Sequence, residues 1–522
     1  MIPIGGDADP LAAFPAVTLT EAVLGTPAAD PGRAAVVDAP TGRALTHAGL
    51  AREVAAAAAA LAAEGVRRGS AVGVHLPDGP EFAVAVHAVT AAGAVPLPLR
   101  VTAPPAELAR LLRAGGAEAL VTWPALRRSA RDAAETAGIA RLLTTADLAP
   151  PHAPTGDSPA GPAPARDVSR SGPPSEGGAA RPEAPGVDAV AVLGCTRGTA
   201  GPARVVPLTH AEMVAGLVRV ADSGMVGRDD TVLPALPLSG LLGLNGALNP
   251  ALRLGATVVA GPGGGRHDLL RALQDRAVTV ALLPPRLVET LAYDRVVPRY
   301  ELGALRSVVA AGGPLRAETA RACAARLGCA VRQAYGLTEA AGLTHLNVRG
   351  AEEGALDSVG RGLPGVAWRV VDAATGKEQA AYQPGELCVR LLATGTARPG
   401  SVRWSATGDA AFRDDHGRAY ILGRLGEGRP EPPAEPETVL AVHPAVRDAV
   451  VAPAPDPELG LVPYAFVVLS ESAAAGDLLD YVNDHVPPYK GVVAVRVVDE
   501  IPRTEDGEVR RRALLARAGL PG

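Results

Sequence analysis

The 522-residue chain is short of several residue types, and each shortage narrows its class. Cysteine occurs four times, as Cys195, Cys323, Cys329 and Cys388. None forms a CxxC pair or has the histidine partners of a metal finger, so a disulfide framework is excluded and the four read as reduced thiols. Aromatic residues make up 3% of the chain, which gives weight to any tyrosine inside a motif. Lysine is nearly absent: Lys377 and Lys490 stand against 48 arginines, so arginine in a lysine's usual place can follow from composition alone. The net charge of −5 comes with no basic block, which argues against nucleic acid or an anionic membrane as partner. No stretch offers about 18 uncharged apolar residues free of Gly and Pro. The opening MIPIGGDADPL has neither a positive n-region nor an apolar h-region, so a soluble cytoplasmic protein is expected.

At roughly 150 residues per domain, the length allows two to four domains. From Ala34 to Leu99 short β-branched runs alternate with Ala-rich stretches: Thr46 caps a helix running to Gly65, Ala71 to Leu76 is a strand, and Glu81 to Ala92 a second helix. This is α/β patterning. Pro150 to Gly186 holds ten prolines and one large aliphatic residue, Val168, and cannot bury enough surface to offset its ordering entropy. A strand from Val190 then enters a glycine-rich loop, and Thr209 with Glu212 has capping-box spacing at the next helix. Past Gly423 a smaller α/β pattern has strands near 446–451, 464–469 and 493–497. The expected architecture is an N-terminal subdomain at 1–149, a Pro/Gly-rich flexible insert at 150–187, a core at 188–423, and a small mobile C-terminal α/β lid at 424–522. The large domain should hold mixed β-sheets flanked by helices.

The loop Thr196-Arg197-Gly198-Thr199-Ala200-Gly201-Pro202-Ala203-Arg204 follows a strand. Its glycines let backbone N–H groups approach phosphate oxygens, its threonines add hydroxyl donors, and Arg204 adds a permanent charge. It lacks the Walker spacing, and by itself a flexible turn is an equal reading. The segment Gln333-Ala334-Tyr335-Gly336-Leu337-Thr338-Glu339 adds an aromatic face for a base, a hydroxyl for a phosphate and a carboxylate for Mg²⁺. Thr407-Gly408-Asp409 places a carboxylate after what reads as a tight turn, where it could accept both ribose hydroxyls, although a plain turn residue is the simpler alternative.

In order, the 196–204 loop, Ala311-Gly312-Gly313-Pro314-Leu315, 333–339, 358–365, Gly385-Glu386-Leu387, Thr407-Gly408-Asp409 and Tyr420-Ile421-Leu422-Gly423-Arg424 resemble the adenylate-forming superfamily of acyl-CoA synthetases, nonribosomal adenylation domains and luciferases. His443-Pro444 and Tyr489-Lys490 extend the likeness toward the C-terminus. The resemblance implies that a small organic acid is joined to ATP as an acyl-adenylate, pyrophosphate leaves, and the acyl group passes to the thiol of CoA or a carrier protein. It further implies that Thr196, Gly198, Thr199, Gly201 and Arg204 surround the phosphates, and that Gly312, Gly313 and Tyr335 line the adenine site. Thr338 would touch the α-phosphate, Glu339 would hold Mg²⁺, and Asp409 and Arg424 would bind ribose. Ser239, Gly240 and Gly336 would line the acid pocket.

Four positions depart from the superfamily pattern. The loop lysine is Arg204, and Leu236-Pro237-Leu238 is followed by Ser239-Gly240 in place of an aromatic–histidine pair. The hinge reads LGEGRPEPPAEPE, with four prolines. In Ile501-Pro502-Arg503-Thr504-Glu505-Asp506-Gly507-Glu508, Glu508 occupies the place of the catalytic lysine. A like-charge contact at 4 Å costs about 4 kcal/mol at an effective dielectric near 20, so a carboxylate there opposes adenylate formation. Lys490 or Arg510-Arg511-Arg512 could replace the missing charge, although that arginine run also reads as a solvated helix face. Three functions stay open: a working acid–thiol ligase, a diverged enzyme activating another oxyacid such as nitrite for diazotisation, or a silent nucleotide-binding homologue acting as a partner or regulator.

Overall fold

The computed structural model describes residues 14–25, 28–148, 186–196, 203–263, 265–348, 355–391, 403–425, 435–441, 443–456, 460–486, 491–502 and 509–520. Most of the Pro/Gly-rich insert, Gly198, Thr199, Gly201, Lys490 and Glu508 lie outside them.

The expected elements form, with ends moved by a few residues. Thr46 caps the helix His47–Ala63, its hydroxyl accepting the Gly49 N–H at 3.0 Å. Thr209 and Glu212 cap each other's backbone at the start of His210–Asp222. The glycine-rich loop joins two antiparallel strands, Val190–Cys195 and Val205–Thr209. The four cysteines are free thiols, and no helix among the described residues is long and apolar enough to cross a membrane.

The largest sheet has nine strands, in the order Arg361–Gly362, Gly342–Leu346, Ala330–Leu337, Ser307–Ala311, Val280–Leu283, Thr231–Pro234, Thr257–Ala260, Ala34–Asp38, Ala44–Thr46. Its six inner strands are parallel, and the outer ones are antiparallel. Alternation sends Val309 and Ala311 to one core and Val308 and Ala310 to the other. The first core continues into a parallel sheet of Val95–Pro98, Ala71–His75, Ala117–Thr122 and Arg141–Thr144, with the nearly all-buried helix Pro80–Ala91 packed in it. The second lies under helices Arg266–Asp275, Pro285–Tyr293 and Ala317–Leu327.

A separate antiparallel sheet of Ala367–Val371, Gly385–Leu391, Arg403–Arg413 and Ala419–Arg424 packs its small core against Tyr335 and Leu337. A smaller C-terminal unit has three strands, Val446–Asp456, Gly460–Leu469 and Ala494–Val497. Helix Ala475–His485 covers one face and Arg511–Arg517 the other. This is the expected mixed α/β architecture of a large N-terminal part and a small C-terminal part.

Candidate active site

Parallel strands in one sheet end at the same edge, and loops there gather the chemistry. Ser307–Ala311 ends at Gly312-Gly313, Ala330–Leu337 ends at Thr338-Glu339, and Thr231–Pro234 leads into the loop that carries Ser239-Gly240. Gly312 has φ +89°, a conformation that favours glycine, while Gly313 has room for a side chain. The loop is held from below by Gln333, a buried residue that the sequence reading left without a role. Its Oε1 accepts the Leu315 N–H at 3.0 Å, and its Nε2 donates to the carbonyls of Leu315 at 2.9 Å and Leu356 at 2.6 Å.

Tyr335, Asp409 and Arg424 come together from two sheets. The Tyr335 phenol donates to Asp409 Oδ2, and Arg424 Nη1 donates to Asp409 Oδ1 at 2.9 Å. Burial and then the carboxylate push the phenol's pKa well above its ordinary 10, so it stays a donor. Burial works against the charge on Arg424, but Asp409 outweighs it and raises the guanidinium's pKa. Asp409 does not follow a tight turn, contrary to the sequence reading. It lies inside the strand Arg403–Arg413, at a bulge where Gly408 takes φ +73°. Two partners hold the bulge: Glu386 Oε1 accepts the Gly408 N–H at 3.0 Å, and the Thr407 hydroxyl accepts the Asp409 N–H at 3.1 Å while donating to Leu387. Each carboxylate oxygen keeps a second lone pair for a ligand hydroxyl.

Thr338 and Glu339 occupy one turn of 3-10 helix, both partly exposed. Among the described residues neither side chain makes a hydrogen bond or ion pair, although Arg424 is close enough to feel the Glu339 charge. A single carboxylate beside a hydroxyl fits Mg²⁺, which usually takes one or two carboxylates and completes its shell with phosphate oxygens and water. The base of the glycine-rich loop is adjacent, since a Cβ on Gly194 would sit 2.8 Å from the Thr338 methyl. Thr196 closes that loop: its N–H donates to the Arg204 carbonyl, and its hydroxyl accepts the Arg204 N–H, both at 2.9 Å. The hydroxyl proton remains to donate, and the Arg204 side chain is exposed.

The residues expected at the acid pocket lie on neighbouring elements. Ser239 is buried, Gly240 precedes the short helix Leu241–Gly243, and a Cβ on Gly336 would strike the Gly342 carbonyl at 2.3 Å and Leu242 at 2.8 Å. The loop is fastened by Asp78, also missed in the sequence, whose Oδ1 accepts the Leu238 N–H at 3.1 Å. Burial raises the Asp78 carboxyl to about 6, more than that hydrogen bond lowers it.

The AMP-binding enzyme family matches residues 25–394, and the AMP-binding enzyme C-terminal domain matches residues 435–508. The chain is an AMP-binding enzyme. Its class is that of AMP-forming ligases, which activate an acid with ATP and hand it to CoA. This AMP-binding enzyme is 31% identical to 4-coumarate–CoA ligase 5 of Oryza sativa subsp. japonica, over 94% of its own length and 93% of the relative's. It is 32% identical to 4-coumarate–CoA ligase-like 9 of the same plant, over 97% and 93%. Among solved structures, the amide bond synthetase McbA from Marinactinospora thermotolerans aligns with a TM-score of 0.69 at 26% identity, covering 96% of this chain and 99% of that one.

Proposed function

We propose that this AMP-binding enzyme condenses a small organic acid with ATP at the edge where Tyr335, Asp409, Arg424, Thr338 and Glu339 meet, then passes the acyl group to a thiol, that of CoA or of a carrier protein. Tyr335, Gly312 and Gly313 flank adenine, and Asp409 and Arg424 take the ribose. Thr196, Gly198, Thr199, Gly201 and Arg204 follow the phosphates, and Thr338 donates to the α-phosphate. Glu339 would hold Mg²⁺, which neutralises phosphate charge. A carboxylate oxygen of the acid attacks the α-phosphorus and the bond to pyrophosphate breaks, turning a poor leaving oxygen into a good one. In the second step the thiol sulfur bonds to the acyl carbon and AMP leaves. We place the boundary of the C-terminal lid at 423–424 and the protein in the cytoplasm.

The observation that carries this reading is the Tyr335–Asp409–Arg424 cluster beside a Glu339 carboxylate with no hydrogen bond among the described residues. Of the curated relatives named above, one is called a 4-coumarate–CoA ligase and the other 4-coumarate–CoA ligase-like, and an organic acid as substrate follows from that likeness. Ser239-Gly240 makes this pocket differ from one lined by an aromatic–histidine pair. Glu508, in the superfamily's lysine position, favours a second reading: activation of an oxyacid other than a carboxylate, such as nitrite, or nucleotide binding without turnover. Mass spectrometry of nucleotide products from ATP incubated with an acid panel that includes nitrite tests both. AMP and a hydroxylamine-trapped acyl group support the ligase, AMP only with nitrite supports the oxyacid, and unchanged ATP throughout overturns turnover.

A further inference from the structure

The hydrogen bond from Tyr335 to Asp409 fastens the phenol at its tip only. The hydroxyl lies on the Cγ–Cζ axis about which the ring turns, so this bond fixes where the tip sits and leaves the plane of the ring undetermined. The torsion that turns the plane is soft, with a broad two-fold profile. A base stacks on a face that is turned toward it, so an adenine site built on Tyr335 needs another contact to set the plane.

That contact comes from His345, which no step of the proposed reaction uses. It sits directly opposite Tyr335 where Gly342–Leu346 pairs with Ala330–Leu337. The two rings meet edge-on, with centroids 5.9 Å apart and planes at 66°. On its other side His345 meets Trp368 in the same manner, at 4.9 Å and 74°. Both arrangements are ones that aromatic pairs prefer. Room for Trp368 comes from Gly362, the partner of His345 on the next strand, where a Cβ would lie 2.8 Å from the indole. The Thr344 hydroxyl donates to the Tyr335 carbonyl at 3.3 Å and lies 3.0 Å from His345 Nδ1, which ties the imidazole to the backbone of the residue it faces. His345 is 0% exposed, and its Nε2 has no hydrogen-bond partner among the described residues. Burial holds the imidazole neutral by lowering its pKa to about 3. To Tyr335 it therefore presents a flat, uncharged ring at a fixed angle.

We propose that His345 is a positioning residue which, backed by Trp368, fixes the plane of the Tyr335 ring on which adenine stacks. The inference rests on the proposed adenine site. Turning the phenol about its axis changes the angle between the two rings and breaks their edge-on contact, so the imidazole holds the plane that the bond to Asp409 leaves undetermined. Without the imidazole, adenine must immobilise the ring as it binds, and the cost of that ordering falls on the affinity for the nucleotide. Ligands that lack the base do not meet this cost.

Calorimetry with ATP and with inorganic tripolyphosphate, which has the phosphates and no base, tests this without requiring turnover. In His345→Leu the affinity for ATP should fall at least fivefold, while that for tripolyphosphate stays within twofold of the wild type. His345→Phe, which keeps a ring and loses both nitrogens, should hold ATP within twofold of the wild type. If His345→Leu fails to fold, Trp368→Leu, one ring further out, carries the same criterion. Equal losses of ATP and tripolyphosphate show a structural role only and overturn the proposal. A loss as large in His345→Phe as in His345→Leu overturns it too, since a ring would then not be what Tyr335 needs. ATP affinity that is lost in Tyr335→Leu but kept in the folded His345→Leu overturns the positioning role alone. Affinity that survives Tyr335→Leu overturns the adenine site, and the purpose of His345 with it.

Discussion

The Tyr335 phenol donates to Asp409 and so ties the end of an inner strand of the nine-stranded sheet to a bulge in a separate antiparallel sheet. The bond orients a carboxylate whose other oxygen holds Arg424. Asp409→Ala should weaken ATP binding by about 1–3 kcal/mol, since it strips the ribose of an acceptor and leaves two donors unpaired. Tyr335→Phe should cost about 1 kcal/mol. Equal ATP affinity in wild type and Asp409→Ala, measured by calorimetry, would remove the ribose assignment.

Gln333 supports the Gly312-Gly313 loop through two hydrogen bonds to Leu315 and donates a third to the Leu356 carbonyl. Gln333→Leu should lower stability by about 1–3 kcal/mol, because backbone groups of Leu315 and Leu356 lose partners in a buried place. It should also raise the KM for ATP more than that for the acid. Urea unfolding and steady-state kinetics check the two parts, and a variant with unaltered ATP kinetics would make Gln333 a fold residue only.

Asp78 gives a pH dependence with a definite sign. Its carboxyl titrates near 6 when folded, against an ordinary 3.8. Between these values the folded state holds the extra proton, so stability falls as pH rises through that window and stays lower above it. Asp78→Asn keeps an acceptor for Leu238 and has no charge to bury. It should therefore melt above the wild type at pH 8, with the difference closing toward pH 4. Thermal unfolding across that range decides, and a constant offset would exclude the titration of Asp78 as its source.

Glu508 lies outside the described residues, and its prediction comes from sequence alone. Glu508→Lys should raise ATP–pyrophosphate exchange with a cognate acid at least tenfold, equal to about 1.4 kcal/mol of transition-state stabilisation. Brisk exchange in the wild type that the substitution abolishes would instead give the carboxylate a positive role, such as binding an amine or relaying a proton.

The sequence by itself determined the α/β class, the capped helices at Thr46 and Thr209, and the motif residues that mark an AMP-binding enzyme. These features are local: a cap, a period of two, or a glycine and hydroxyl at fixed spacing acts between residues close in the chain. Tertiary structure alone decided which partners those residues have. Gln333 reads as the lead-in to a tyrosine motif, and only the fold puts its amide against Leu315 and Leu356. Thr407-Gly408-Asp409 has turn composition, yet pairing with Gly385–Leu391 makes it a bulge, because a strand absorbs extra residues when its neighbours hold both flanks in register. Asp78 carries no motif. Its role arises because burial removes water as a partner, so the carboxylate takes its hydrogen bond from across the fold, from the N–H of Leu238, 160 positions away.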